Sequence, residues 1–313
     1  MAMSNEELER LIQKAQITTA LGGIVAPQQA NEFIDMSVDQ TAVLDSIRTE
    51  TGITSSLELH DISLGEPVTV DAVEGAAPAE ADVTVPTVVK KILKPTEKIA
   101  AFDLTFDEIR KNIEGEGFND TLNMLFSKRM GKDLVLGAFN GDKATVGTTR
   151  LAKALRMFDG FGKLLDADAS VHDFVIPANP TYSGADGVFS GMIRQLPKDY
   201  RDDRAALAFY VSQNVLDAYE DEITARQTAA ADAVMFGNDA VTRYKRIAII
   251  PVFGKPDDEI ELTVRRNLAI GFGKEMTFGI DTYQRRRMVE VTITYEADVN
   301  YVRGDAVVRG KSA

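Results

Sequence analysis

The stretch KEMTFGIDTYQRRRMVEVTITYEADVN, residues 274–300, decides the fold class. From Val289 to Val299 the residues alternate without a fault. Val289, Val291, Ile293, Tyr295, Ala297 and Val299 occupy one phase, and Glu290, Thr292, Thr294, Glu296 and Asp298 the other. Successive side chains of a strand point to opposite faces, so this pattern describes a strand with one buried and one wet face. Met276, Phe278 and Ile280 alternate in the same way upstream, and YQRRRM separates the two runs. The spacing predicts a long, half-buried antiparallel hairpin with Arg285, Arg286 and Arg287 at its tip.

Working outward, RAALAFYVS (204–212) and RIAIIPVF (246–253) read as buried strands. GVFSGMIRQL (187–196) and SQNVLDAYEDEITARQTAAADAV (212–234) read as helices, the second with Ser212 as N-cap. Phe118, Leu122, Leu125, Phe126, Met130 and Leu134 recur at spacings of three and four, which predicts a helix over 118–139 ended by Asn140-Gly141. Capping patterns at Ser4/Glu7, Ser37/Gln40 and Thr105/Glu108 open shorter helices, over 4–16, from Ser37 to about Arg48, and after Thr105. The fold class is α+β.

GEPVTVDAVEGAAPAEADVTVPTVVKK, residues 65–91, alternates, turns through an acidic Ala- and Pro-rich tip, and alternates again. Val68, Val70 and Ala72 are expected on one strand, and Val83, Val85, Thr87 and Val89 on its partner. No aromatic residue lies between Phe33 and Phe102, and no Lys or Arg between Thr49 and Val89, where eight Asp and Glu stand. An isolated two-stranded ribbon is marginal in water, so this one needs a partner surface to bury its valines.

Composition narrows the function. The net charge of −13 over 313 residues argues against general affinity for nucleic acid or anionic membranes. The absence of Cys removes disulfides, thiolate zinc sites and Cys nucleophiles, and fits a reducing compartment. With His60 and His172 the only histidines, His-based metal centres and acid–base dyads are nearly excluded. The charged N-terminus lacks a signal-peptide core, and no apolar run reaches the ~20 residues of a membrane span. GFGK at 160–163 and 271–274 lacks the third Gly of a dinucleotide fingerprint, because Leu165 and Met276 occupy that position. GKS at 310–312 lacks the leading Gly of a phosphate-binding loop, since Asp305 stands there. Acid pairs such as Asp202-Asp203, Asp257-Asp258 and Asp166/Asp168 read as solvated loop residues rather than a cation site. No catalytic, cofactor or metal site is expected.

The order of elements, with AFNGD (138–142) after the long helix and RNLAIGFGK…YVRGDAVV (266–308) at the end, resembles the major capsid protein of tailed bacteriophages. The resemblance covers essentially the whole chain. It implies an N-terminal arm with short helices (1–57) and an extended loop hairpin (58–98). A peripheral domain follows, with a spine helix and long hairpin (99–148 and 262–299), and an α+β axial domain (149–261 and 300–313). It implies a shell of hexamers and pentamers around packaged double-stranded DNA, in a virion assembled in the host bacterial cytoplasm. The implied partners are other copies, a portal, a separate scaffolding protein and a decoration protein. The loop would reach over a neighbouring subunit. Glu74, Glu80 and Asp82 on it, and Arg285, Arg286 and Arg287 on the hairpin tip, are the candidate inter-subunit contacts. Relatives that crosslink through a loop Lys are not matched, because the nearest lysines are Lys90, Lys91 and Lys94 at the base; a non-covalent shell is expected. The alternatives are an encapsulin-like nanocompartment shell, which shares the fold, and a soluble enzyme with an unrecognised site.

Overall fold

The computed structural model describes residues 42–63, 68–69, 71, 80, 83–107, 118–225 and 242–312. The chain begins with α1 (Ala42–Ser46), β1 (Arg48–Ile53), β2 (Leu57–Ser63), β3 (Thr87–Leu93) and β4 (Thr96–Thr105), then the long α2 (Phe118–Asn140). There follow α3 (Arg150–Leu155), α4 (Phe161–Asp166), β5 (His172–Ile176), α5 (Val188–Gln195), α6 (Lys198–Arg201), β6 (Leu207–Val211) and α7 (Gln213–Thr224). The chain closes with β7 (Arg243–Tyr244), β8 (Ile247–Pro251), β9 (Glu259–Val264), β10 (Leu268–Tyr283), β11 (Met288–Tyr301) and β12 (Val307–Ser312).

Three sheets result, with strand orders β1-β10-β11-β4, β5-β12-β9-β6-β8-β7 and β2-β3. The expected long hairpin is β10–β11, antiparallel, with Tyr283 opposite Met288 and Leu268 opposite Tyr301. Val289, Ile293, Tyr295, Ala297 and Val299 are buried as the alternation requires. β10 carries a bulge between Phe272 and Met276, so residues 273–275 face Glu296 alone. β6 shows why its run has no polar break. Leu207, Phe209 and Val211 bury in a core formed with α5 and α7. Ala208 and Tyr210 bury on the opposite face against Leu134, Phe139 and Phe161 of α2 and α4. A strand covered on both faces cannot alternate. The second core also takes in Ile293, Tyr295 and Val299, so α2 is the beam to which both large sheets pack. Although α2 has 23 residues, it is not apolar enough to cross a membrane.

The glycines of AFNGD and GFG have a packing reason. A Cβ on Gly141 would lie 2.5 Å from the Phe158 carbonyl oxygen, and one on Gly160 2.6 Å from the Gly141 nitrogen. Where α2 ends, the returning chain crosses at backbone contact, with the Gly160 N–H donating to the Gly141 carbonyl at 2.8 Å.

Several expectations need correction. The ribbon pairs nearer its base than the valine pattern suggests, Leu57 opposite Leu93 and Ser63 opposite Thr87. Val83 and Val85 lie in no strand and are 60% and 78% exposed. The described pairing spans the part of the ribbon where Leu59 and Leu93 bury against Ile53, Ala269 and Val302. The helix expected to reach Arg48 ends at Ser46, and β1 lies parallel to β10 with Arg48 opposite Ala269. Val43, Leu44 and Ile47 are buried in the main core, so this part of the expected arm belongs to the body. Thr105 closes β4, and Phe106 and Asp107 directly after it are helical, as its expected place at a helix start requires. The helix at 4–16, the tip residues Glu74 and Asp82, Val70 and Ala72, and the continuation of α7 beyond residue 225 lie outside the described residues.

Candidate functional site

The base of the loop is held by two charged side chains that sit on the buried phase of the ribbon. On β2 the inward residues are Leu57, Leu59 and Asp61, and on β3 Val89, Lys91 and Leu93. Lys91 Nζ donates to Asp168 Oδ2 at 3.1 Å and to the Tyr301 hydroxyl at 3.0 Å, and lies 4.4 Å over the Tyr301 ring. The Tyr301 hydroxyl itself donates to Asp168 Oδ2 at 2.5 Å, while the Ser170 N–H and hydroxyl donate to Oδ1 at 2.9 and 2.7 Å. Asp61, on the other strand, pairs with Arg303, which also donates to Tyr200 at 2.6 Å. Two backbone ties complete the clamp. Lys94 N donates to Asp298 Oδ2 and Asn300 Nδ2 to the Ile92 carbonyl, both at 2.8 Å.

Electrostatics favour the charged clamp. Burial pushes the Asp168 carboxyl up, but donors from Tyr301, Ser170 and Lys91 outweigh it and hold the group well below the usual carboxylate range. Burial likewise lowers Lys91, and its bonds to Tyr301 and Asp168 more than reverse that. Asp298 goes the other way, because burial raises its carboxyl more than the Lys94 and Val299 N–H groups lower it. An Asp whose folded value lies below its unfolded value of about 3.9 contributes stability that is fully present above that pH and lost as pH falls toward the folded value. Asp168→Asn is therefore expected to cost about 1–2 kcal/mol at pH 7, discounted for partial exposure. The difference from wild type should begin to narrow below about pH 4 and shrink further as pH falls toward the folded value. Thermal melts of both proteins at pH 7 and pH 3 measure this, and an equal gap at both would contradict it.

The hairpin tip lies at the opposite end of the four-stranded sheet. Arg285, Arg286 and Arg287 are all exposed. Arg287 adopts φ 52° and its carbonyl accepts the Phe106 N–H at 2.9 Å, which ties the tip to the end of β4. Arg286 is drawn to Glu290 at 3.6 Å and stacks 5.6 Å from the Tyr283 ring. Arg285 and Arg287 have no ion-pair partner among the described residues. Of the acidic candidates, Glu80 is exposed, while Glu74 and Asp82 lie outside the described residues. No described ion pair joins the two groups of candidates within the chain.

Sequence reasoning passed over Asp61 and Arg303 and named Lys91 only as a lysine at the loop base, and its reading of Asp166 and Asp168 as solvated loop acids is corrected, because Asp168 is held by Lys91 and Tyr301 and Asp166 pairs with Arg309 and Lys311. It also missed the pair of Lys255 and Glu261, 2.5 Å apart with side chains 0% and 1% exposed. His60 lies 3.0 Å from Glu58 on the exposed ribbon face, and His172 lies on the edge strand β5. Among the described residues no cluster of three or more His, Asp or Glu could hold a metal ion.

No family model matches the sequence. A putative prophage capsid protein, YqbE of Bacillus subtilis (strain 168), is 26% identical over 323 residues, an alignment covering 98% of each chain. Among solved structures, the procapsid of satellite phage P4 with its size-determination protein superposes with a TM-score of 0.65 at 13% identity, covering 90% of this chain and 98% of that one. The capsid of an empty GTA particle gives 0.59 at 13% identity, over 88% and 90% of the two chains. Gordonia phage Cozz gives 0.57 at 12% identity, over 88% and 87%. The fold described above is shared with all three.

Proposed function

We propose that this chain, a capsid protein of phage-type shells by fold and by whole-length sequence similarity, assembles as hexamers and pentamers into an icosahedral shell enclosing packaged double-stranded DNA. The observation that carries the reading is the clamped loop. Its base is fixed to the body by two ion pairs, yet Ile62, Val68, Val83, Val85 and Val88 beyond or along it are each more than half exposed. Exposed valines beside a base tied to the body are covered, in this reading, by another molecule. The division into arm (1–57), loop (58–98), peripheral domain (99–148, 262–299) and axial domain (149–261, 300–313) is part of the same proposal. So are a portal, a separate scaffolding protein and a decoration protein as partners, with virion localisation after assembly in the host cytoplasm. The net charge of −13 suits a wall that encloses DNA without binding it tightly. A non-covalent shell is favoured because Lys90 pairs with Glu58 and Lys91 is engaged in the clamp.

The test is electron microscopy of the protein expressed alone and together with its neighbouring reading frames. Closed shells, tubes or hexameric rings are expected. Deleting residues 70–86 should abolish them while the melting temperature stays within a few degrees of wild type, because the deleted segment lies beyond the clamp. A monomer under every condition would overturn the reading.

A further inference from the structure

We propose that the helix side of the four-stranded sheet, carried by α2 and α3, is the surface that meets double-stranded DNA, touching its phosphates through Lys128, Lys143, Arg150 and Lys153; the proposal rests on the capsid reading and names which face of the subunit turns inward. The sheet and α2 form two layers whose solvent faces carry opposite charge. On the side away from α2, Asp281, Glu290 and Asp103 stand directly opposite one another across β10, β11 and β4, and Glu296 stands opposite Glu97. The two rows between them on this face hold only Gly, Thr, Ala and Ile residues. Like charges directly opposite one another cost stability, so nothing in folding calls for this face to be acidic.

The other face is covered by α2, whose Met130 and Leu134 share a core with Ile293 and Tyr295. α3 follows on that side, where Met157 and Phe158 lie close over Gly137 of α2. Residues 143–158 hold Lys143, Arg150, Lys153 and Arg156 and no Asp or Glu. All four are exposed, as is Lys128 on α2, and none has an ion-pair partner among the described residues. The acids beside them are already engaged, Asp133 with Arg129 at 2.8 Å, and Asp142 and Asp159 with Lys163 at 2.5 and 2.8 Å. An uncommitted basic surface on a chain of net charge −13 is a local exception, and it fits a polyanion. Duplex DNA carries one negative charge per about 1.7 Å of its axis, and a shell one subunit thick turns one face toward it. That polyanion repels the acidic sheet face and attracts the basic helix side, so α2 and α3 line the lumen and the sheet face looks out. The contact is weak and sequence-independent, because the subunit as a whole stays acidic and only a few phosphates are neutralised.

Two measurements test this. The chain has no cysteine, so single ones report which face is outside. Asp103→Cys shells should react with a maleimide carried on a polymer too large to enter, whereas Lys128→Cys and Arg150→Cys shells should react only after disruption. The unassembled subunit, titrated with a short DNA duplex, should bind at low salt, with affinity falling steadily as salt rises. Lys128→Ala, Arg150→Ala and Lys153→Ala should each leave the melting temperature unchanged and flatten the slope of log affinity against log salt by about 1, while Asp103→Ala should leave it as it is. Labelling of Lys128→Cys or Arg150→Cys in intact shells, protection of Asp103→Cys, or a slope that none of the three alanines changes would each overturn the assignment. A patch that prefers polyglutamate to the duplex would overturn it too, in favour of an acidic protein segment. Wild-type protein that never assembles would instead overturn the capsid reading, and the duplex titration would still read the patch.

Discussion

Removing residues 307–313 is expected to leave no soluble folded protein. The last strand is not a tail. β12 lies between β5 and β9 in the six-stranded sheet, parallel to the first and antiparallel to the second. Val307 and Val308 are fully buried, one in each of the two main cores. Their loss alone forfeits about 3–6 kcal/mol. Arg309, 2% exposed, pairs with Asp166 at 2.5 Å and Glu259 at 3.0 Å and bonds the Gly162 carbonyl, so truncation also strands two carboxylates and opens two strand edges. Against a typical total stability of 5–15 kcal/mol these losses are decisive. Soluble yield and circular dichroism of the truncated chain measure this. Removal of only Ser312 and Ala313 is the control and should fold. A cooperative melt from the chain ending at Ala306 would show that β12 is dispensable.

Lys255→Met should destabilise the subunit by about 3 kcal/mol, the lower end of the range for breaking a buried pair. Lys255 and Glu261 have almost no exposed side-chain surface, and the ammonium lies 5.5 Å from the Phe139 ring at the end of α2. Removing the cation leaves a carboxylate in an apolar core with its desolvation uncompensated. Arg309 stands opposite Glu261 across the β9–β12 register and tempers the loss, which is why the lower figure applies. Replacing both residues, Lys255→Met with Glu261→Leu, should recover most of the stability, because the apolar pair no longer needs a counter-charge. Urea unfolding of the single and double variants decides it. A double variant no more stable than the single would mean that the pair also supports the surrounding backbone.

Legibility from sequence tracked the range over which each feature is encoded. The β10–β11 hairpin was readable because its period of two persists over many residues and its turn is local. β6 was readable because a strand buried on both faces is apolar throughout. The parallel pairing of β1 was not: RTETGI is polar, and its partner lies more than two hundred residues away. In the ribbon, valine alternation extends past the pairing, because pairing follows burial. The clamp did leave a signal. Asp61 and Lys91 share the phase of Leu59 and Leu93, and a charge on a buried phase implies a partner. Lys255 left none, since its partner lies six residues on in a different element. Glu74 and Asp82 fall outside the described residues, and Arg285 to Arg287 were located correctly at the turn, though no internal partner announces their use.

In both large sheets, strands made early in synthesis pair with strands made late. β1 pairs with β10, and β12 fills the middle of a sheet begun by β5, so the four-stranded sheet waits for β11 and the six-stranded sheet for β12. At about 5–20 residues per second the nascent chain spends about 10–40 s with β1 made and β10 absent. Subunits translated side by side on one message therefore cannot lock together while still growing. On the proposed capsid reading, assembly would draw on the pool of released subunits rather than on the polysome.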